Sequence, residues 1–94
     1  MLIPKPTKQV CKWLDSAQEK QFSQVWAKIL MLLKEPRPND SKKIGEHEGD
    51  DLYRADAGEF RIVYSFDANT LRLRLIGKRN DAEVYKSLRN KLKK

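Results

Sequence analysis

The chain has 94 residues, 39% of them hydrophobic and 35% charged, and a formal net charge of +7, which predicts one cytoplasmic globular domain over residues 1–94. No apolar run is long enough to cross a bilayer, and the first residues lack the hydrophobic segment of a signal peptide. One cysteine and one histidine cannot form an intramolecular disulfide or a Cys/His zinc cluster, so we expect neither a metal nor another cofactor.

A short amphipathic helix is predicted first, over residues 8–15. Thr7 is a suitable N-cap, and Val10, Cys11 and Leu14 fall on one side of the helix. We therefore expect Cys11 to be a small buried residue. Prolines at positions 4 and 6 limit any preceding strand to the first three residues.

A longer helix follows. Ser16 and Glu19 have the spacing of a capping box, and Pro36 places the end of the helix near Glu35. We expect both Trp13 and Trp26 to lie in the core rather than to serve as platforms on which bases stack. The apolar stripe of this helix has six members at helical spacing: Phe22, Val25, Trp26, Ile29, Leu30 and Leu33.

The second half of the chain predicts a sheet and a last helix. Residues 36–50 are rich in proline, glycine and mixed charge, which predicts a surface loop with His47 in solvent. From Leu52 the apolar period is two, which predicts three strands joined by tight hairpins at 57–58 and 68–69. A helix after Asn80 would bury Val84, Leu88 and Leu92. The predicted fold is α+β, with two N-terminal helices packed on an antiparallel sheet of three to four strands and a C-terminal helix.

The cross-strand register of the predicted hairpins places basic side chains together on one face of this sheet. A two-residue loop at Ala57-Gly58 sets Arg54 directly opposite Arg61, and the second hairpin sets Ile62 opposite Leu75 on the other, helix-covered face. Two adjacent guanidinium groups repel each other unless an anion lies between them, and a phosphate meets that need. The basic face collects four arginines: Arg54, Arg61, Arg72 and Arg74, with Val63, Ser65 and Ile76 between them.

Two alternatives stay open from the residues alone. Asp56 and Glu59, on the same face, would neutralise the arginines in exposed ion pairs that have no function. A three-residue loop with Gly58 in a bulge would instead move Arg54 away from Arg61.

Positive charge is concentrated in the last third of the chain, where residues 61–94 carry ten basic and three acidic groups. Lys78 and Arg79 leave the last strand there, and Tyr85 follows at the edge of the predicted helix, able to stack on a base or to pack at the rim of the core. Such a surface attracts phosphate backbones, acidic protein tails or anionic membranes.

The segments LYRADAGEFRIVYSFD and GKRNDAEVY resemble the RelE branch of the RelE/ParE toxin superfamily, over roughly residues 20–90. The resemblance implies a type II toxin–antitoxin toxin that cleaves messenger RNA in the ribosomal A site without a metal. It implies that Arg61 stabilises the charged phosphorane, that Arg79 assists the leaving 5′-oxygen, and that Tyr85 orients the nucleotide. Arg54 stands where the family carries a lysine of its basic cluster, so the resemblance implies that Arg54 is a catalytic residue as well. We expect four residues to bind RNA: Arg54, Arg72, Arg74 and Lys78.

One departure from the family pattern concerns the general base. The pattern has a second lysine two residues before Arg54, where this chain has Leu52, and an arginine is a poor proton acceptor because its pKa exceeds about 12. Substitutes are Glu46, His47, Glu48 or Lys78, unless positioning and electrostatics suffice at a lower rate.

Two rival functions share the predicted surface. A ParE-type toxin would use the same fold against DNA gyrase without an RNase centre, and a non-catalytic module would hold RNA or an acidic peptide on the basic face. The expected partners of the RelE-like function are the ribosome, messenger RNA and an acidic or amphipathic antitoxin, with no membrane. The antitoxin would cover the Arg54/Arg61 face or displace the last helix.

Overall fold

The computed structural model describes residues 1–79, in which two helices pack on one face of a five-stranded mixed sheet. The elements in chain order are β1 (Ile3–Pro6), α1 (Lys8–Ser16), α2 (Glu19–Lys34), β2 (Lys42–His47), β3 (Asp50–Ala57), β4 (Phe60–Phe66) and β5 (Thr70–Lys78). The sheet order is β1-β5-β4-β3-β2. The predicted pair of N-terminal helices and the β3–β4–β5 meander are confirmed, whereas the predicted C-terminal helix with Tyr85 lies outside the described residues.

The expectation of three to four antiparallel strands was wrong at one edge because β1 exists and runs parallel to β5. Its two prolines, Pro4 and Pro6, alternate with residues that donate to the sheet. The backbone N–H of Ile3 donates to Asn69 at 2.9 Å, and that of Thr7 donates to Leu73 at 3.0 Å. The proline nitrogens therefore face away from β5, which an edge strand allows.

The opposite edge is β2, in the segment that the sequence predicted as a loop. It pairs antiparallel with β3 through a bulge between Lys43 and Gly45. None of its residues is buried, so it lacks the apolar alternation that predicts strands. The hairpin turn has positive φ at Glu48 (52°) and Gly49 (84°), as a type I′ turn requires. His47 ends β2 with a side chain only 20% exposed, and its predicted place in a solvated loop was wrong.

Helix α1 is fixed to β5 as well as to its own cap. The Thr7 hydroxyl oxygen accepts from the Val10 N–H at 3.4 Å, as predicted, and the hydroxyl donates to the Arg74 carbonyl at 2.9 Å. The helix buries Val10 completely but leaves Cys11 exposed. The expectation of a buried Cys11 was wrong. Successive residues of an α-helix lie about 100° apart around its axis, so Cys11 points away from the face that buries Val10.

The boundary between α1 and α2 differs from the predicted capping box. Ser16 is the last residue of α1, and its hydroxyl donates to the Lys12 carbonyl at 2.9 Å. Gln18 is the N-cap of α2 and forms no side-chain capping bond. Ser16 stays in the preceding helix because its hydroxyl has a carbonyl acceptor one turn back.

Helix α2 contacts the sheet through a narrower stripe than its sequence suggested. The predicted stripe members Phe22, Trp26 and Leu30 are 36%, 37% and 42% exposed, so the core placement of Trp26 was wrong. Trp13 does pack on the core, edge-to-face with Phe60 at 5.0 Å between ring centroids. The residues that α2 buries are Val25, Ile29, Leu32 and Leu33.

The sheet register differs from the predicted one in two places. The β3–β4 turn is Gly58-Glu59, because the first position of the turn takes a φ of 61° that glycine adopts without strain. In the second hairpin the predicted Phe66–Leu71 and Tyr64–Leu73 pairs are confirmed, but a bulge shifts the pairs that follow. Leu75 consequently lies opposite Val63 and Ile76 opposite Ile62, each on the face predicted for the other.

Candidate active site

The two faces of the sheet have different compositions. One face packs against Val10, Val25 and Ile29 of the helices and forms the main core. The other face, which we call the outer face, carries all four arginines that the sequence placed together, and Val63 and Leu75 form a separate small cluster there. Strand alternation gives its main members as Leu52, Arg54, Asp56, Arg61, Val63, Ser65, Arg72, Arg74 and Leu75.

Arg54 and Arg61 share a carboxylate instead of facing each other. Asp56, not Arg54, is the direct cross-strand partner of Arg61, and Arg54 lies opposite Val63. The Nε of Arg61 donates to Oδ1 of Asp56 at 3.0 Å, and Nη1 of Arg54 lies 3.9 Å from the same oxygen. The predicted direct pairing was wrong because the turn is one residue later, yet both guanidinium groups stay on one face.

The backbone of Arg79, the first residue after β5, lies at this same end of the sheet. Gly77 lies opposite Arg61, and the backbone N–H of Arg79 donates to the Glu59 carbonyl at 2.7 Å. Arg79 is thus a diagonal neighbour of Arg61, and such neighbours are about 7–8 Å apart in a sheet. We call Arg54, Arg61 and Arg79 the arginine cluster.

Lys78 lies opposite Phe60, which is a position on the helix-covered face. It is exposed at the end of β5. The structure therefore separates Lys78 from the outer face by strand alternation, although both Lys78 and Arg79 lie at the same end of the sheet.

Arg72 and Arg74 occupy the other half of the outer face, and each has a carboxylate partner. Arg72 donates to Asp67 at 2.9 Å. Arg74 donates to Asp50 at 3.1 Å and to the buried hydroxyl of Ser65 at 3.0 Å. Donation from the Asn69 backbone N–H, followed by that from Arg72, lowers the pKa of Asp67 below its usual value. These contacts hold Arg72 and Arg74 against the sheet.

Three of the four substitute bases proposed from the sequence, Glu46, His47 and Glu48, lie far from the arginine cluster. His47 pairs with Asp50 at one end of β3, whereas Arg61 pairs with Asp56 near the other end, so six strand positions, or about 20 Å, separate them. Glu46 and Glu48 flank His47 at that same distant end. Leu52 is 1% exposed and supplies no proton acceptor.

The sequence predicted Asp56 only as a neutralising partner, whereas the structure places it against both Arg61 and Arg54. The sequence feature that could have identified this contact is the position of Asp56, five residues before Arg61 and across a two-residue turn. Within residues 1–79, no group of three or more His, Cys, Asp or Glu side chains could hold a metal ion. Neither helix in that range is long and apolar enough to span a membrane.

Comparisons with known proteins add a structural relative. No protein-family model matches the chain, and no curated protein matches it. A chain from the crystal structure of the archaeal RelE–RelB complex of Pyrococcus horikoshii matches with a TM-score of 0.73 and 28% sequence identity. The fold is RelE-like. The match covers 86% of this chain and 98% of the archaeal one. The structural similarity therefore includes nearly the whole length of the archaeal chain.

Proposed function

We propose that this protein is the toxin of a type II toxin–antitoxin system and a ribosome-dependent endoribonuclease that cuts messenger RNA in the A site. The RelE-like fold supports the toxin assignment. The observation that carries the enzymatic part is the pairing of Arg54 and Arg61 with one carboxylate on the outer face, with the backbone of Arg79 at the same end of the sheet. Such a reaction would place the protein in the cytoplasm.

The proposed chemistry is an in-line transesterification. The ribose 2′-oxygen forms a bond to the adjacent phosphorus, the bond from phosphorus to the 5′-oxygen breaks, and the products carry a 2′,3′-cyclic phosphate and a 5′-hydroxyl. Arg61 stabilises the charge that develops on the phosphorane, and Arg79 stabilises the leaving oxygen. Tyr85, proposed to orient the nucleotide, lies outside the described residues.

Removal of the 2′-proton is the step with the least support from side chains. Leu52 is apolar and buried, and a guanidinium does not accept protons near neutral pH. Lys78 lies at the correct end of the sheet but on its other face. We therefore propose that positioning of the RNA and electrostatic stabilisation provide most of the rate, at a lower turnover than a site with a base.

The proposed partner is an antitoxin chain. The matching structure is a RelE–RelB complex, and the net charge of +7 on this chain favours an acidic or amphipathic partner. We propose that the antitoxin covers the outer face around Arg54 and Arg61, or displaces the C-terminal segment, and so competes with RNA.

Primer extension on translating ribosomes tests the proposed activity. We expect the wild-type protein to produce in-frame A-site cuts, and Arg61→Ala and Arg79→Ala each to reduce cleavage by about 10²–10³-fold, the usual effect of removing a charge-stabilising donor. Lys12→Ala is the matched control, because Lys12 is an exposed cation of α1 on the helix-covered side, and it should cleave normally.

Other outcomes of this assay point to the rival functions. Intact messages together with a DNA-damage response would indicate a ParE-type toxin directed at gyrase, a possibility that Leu52 favours. RNA binding without any cut would indicate a non-catalytic module.

A further inference from the structure

Asp56 contacts two members of the arginine cluster, Arg54 and Arg61. A single oxygen, Oδ1, accepts from Nε of Arg61 at 3.0 Å and lies 3.9 Å from Nη1 of Arg54. The three residues belong to two adjacent strands, with Arg61 directly opposite Asp56 and Arg54 two residues before it. One carboxylate therefore contacts both guanidinium groups from the same face.

Burial makes these contacts more restrictive than ordinary surface ion pairs. The side chains of Arg61, Arg54 and Asp56 are 12%, 20% and 29% exposed. Ion pairs that solvent screens poorly hold their partners more strongly than exposed ones. Because Nε lies in the plane of the rigid guanidinium group, a bond to Nε also restricts the orientation of that plane.

We propose that Asp56 is a positioning residue that orients Arg61 toward the phosphorane. This inference rests on the endoribonuclease function proposed above. A charge held in place before the reaction stabilises the transition state without reorganising, so the orientation of Arg61 acts on kcat. The negative charge of Asp56 also opposes the approach of a phosphate, so it weakens binding of the substrate in the ground state.

These two effects have opposite signs, and Asp56→Asn separates them. The variant keeps the shape of the side chain but loses the charge that holds both arginines. We expect kcat for cleavage of messenger RNA on ribosomes to fall by at least about tenfold, while KM stays equal or decreases. Asp56→Glu keeps the carboxylate and should restore part of kcat.

A matched control is Asp51→Asn. Asp51 also lies on β3 and also pairs with a cation, Lys43 at 3.1 Å, but its side chain is 46% exposed. The substitution changes the net charge by the same amount away from the arginine cluster, so kcat should not change. A decrease in kcat equal to that of Asp56→Asn would overturn the positioning role, as would a normal kcat in Asp56→Asn itself.

An NMR measurement keeps the inference testable apart from catalysis. In ¹⁵N spectra the Nε–H signal of Arg61 should exchange slowly with solvent in the wild type, exchange faster in Asp56→Asn and recover in Asp56→Glu. An unchanged signal in Asp56→Asn would overturn the inference, whether or not the wild type cuts RNA. Failure of the proposed function would show differently, as a wild type that leaves all messages intact. Thermal unfolding of each variant verifies that it folds.

Discussion

Tyr64 is the buried aromatic residue that connects the sheet to the segment after α2. It is 0% exposed, and its hydroxyl donates to the Pro36 carbonyl at 2.6 Å. Burial raises the pKa of Tyr64 from 10.0 to about 12. The unfolded chain therefore loses this proton first, and the free energy of unfolding should fall between pH 10 and pH 12 by about 2–3 kcal/mol, with no effect below pH 10.

The variant Tyr64→Phe tests this pH dependence. We expect it to cost about 1 kcal/mol at pH 7, because the bond to Pro36 is lost, and to lose less stability than the wild type above pH 10. Urea unfolding at several pH values measures both effects. Parallel pH profiles for the two proteins would contradict the prediction.

Among single residues, sequence patterns predicted the outer-face arginines but not their contacts. Alternation fixes the face on which Arg54 and Arg61 lie, and a shift of the turn by one residue moves the pairing by two positions, which preserves that face. The same shift decides whether Arg61 lies opposite Arg54 or Asp56. The choice of turn depends on the φ that Gly58 adopts, which composition does not encode.

At the scale of elements, Gln9 extends the pairing of β1 with β5 beyond the end of the strand. Its side-chain amide donates to the Ile76 carbonyl at 2.8 Å and accepts from the Ile76 N–H at 3.0 Å. Gln9→Ala should destabilise the protein by about 2 kcal/mol, because both backbone groups lose a partner in a partly buried place. The substitution Lys12→Ala, at an exposed position of the same helix, should change stability by less than about 0.5 kcal/mol. Urea unfolding of the two variants measures the difference, and equal effects would refute the role of Gln9.

The helices and the central meander were predictable because their apolar periods are strong. The two edge strands were not, since β1 contains two prolines and β2 buries none of its residues. An edge strand gains its place from backbone hydrogen bonds with a neighbour, and these leave little trace in the side-chain pattern. Gln9 is an extreme case, because its side chain on α1 forms two hydrogen bonds with the Ile76 backbone that a neighbouring strand would otherwise form.

For the whole molecule, the distribution of charge predicts how RNA binding depends on salt. The outer face holds Arg72, whose side chain is 37% exposed and pairs with the carboxylate of Asp67. If single-stranded RNA crosses this face, its affinity falls as salt rises, and each phosphate contact contributes about 0.7 to the slope of log K against log salt. Arg72→Ala should reduce the slope by about that amount, whereas Lys12→Ala, on the helix-covered side, should leave it unchanged. Fluorescence anisotropy of a short labelled RNA over a range of potassium chloride concentrations measures both slopes. Equal reductions of the slope in the two variants would mean that RNA binds diffusely to a protein of net charge +7. The outer face would then not be a specific RNA-binding surface.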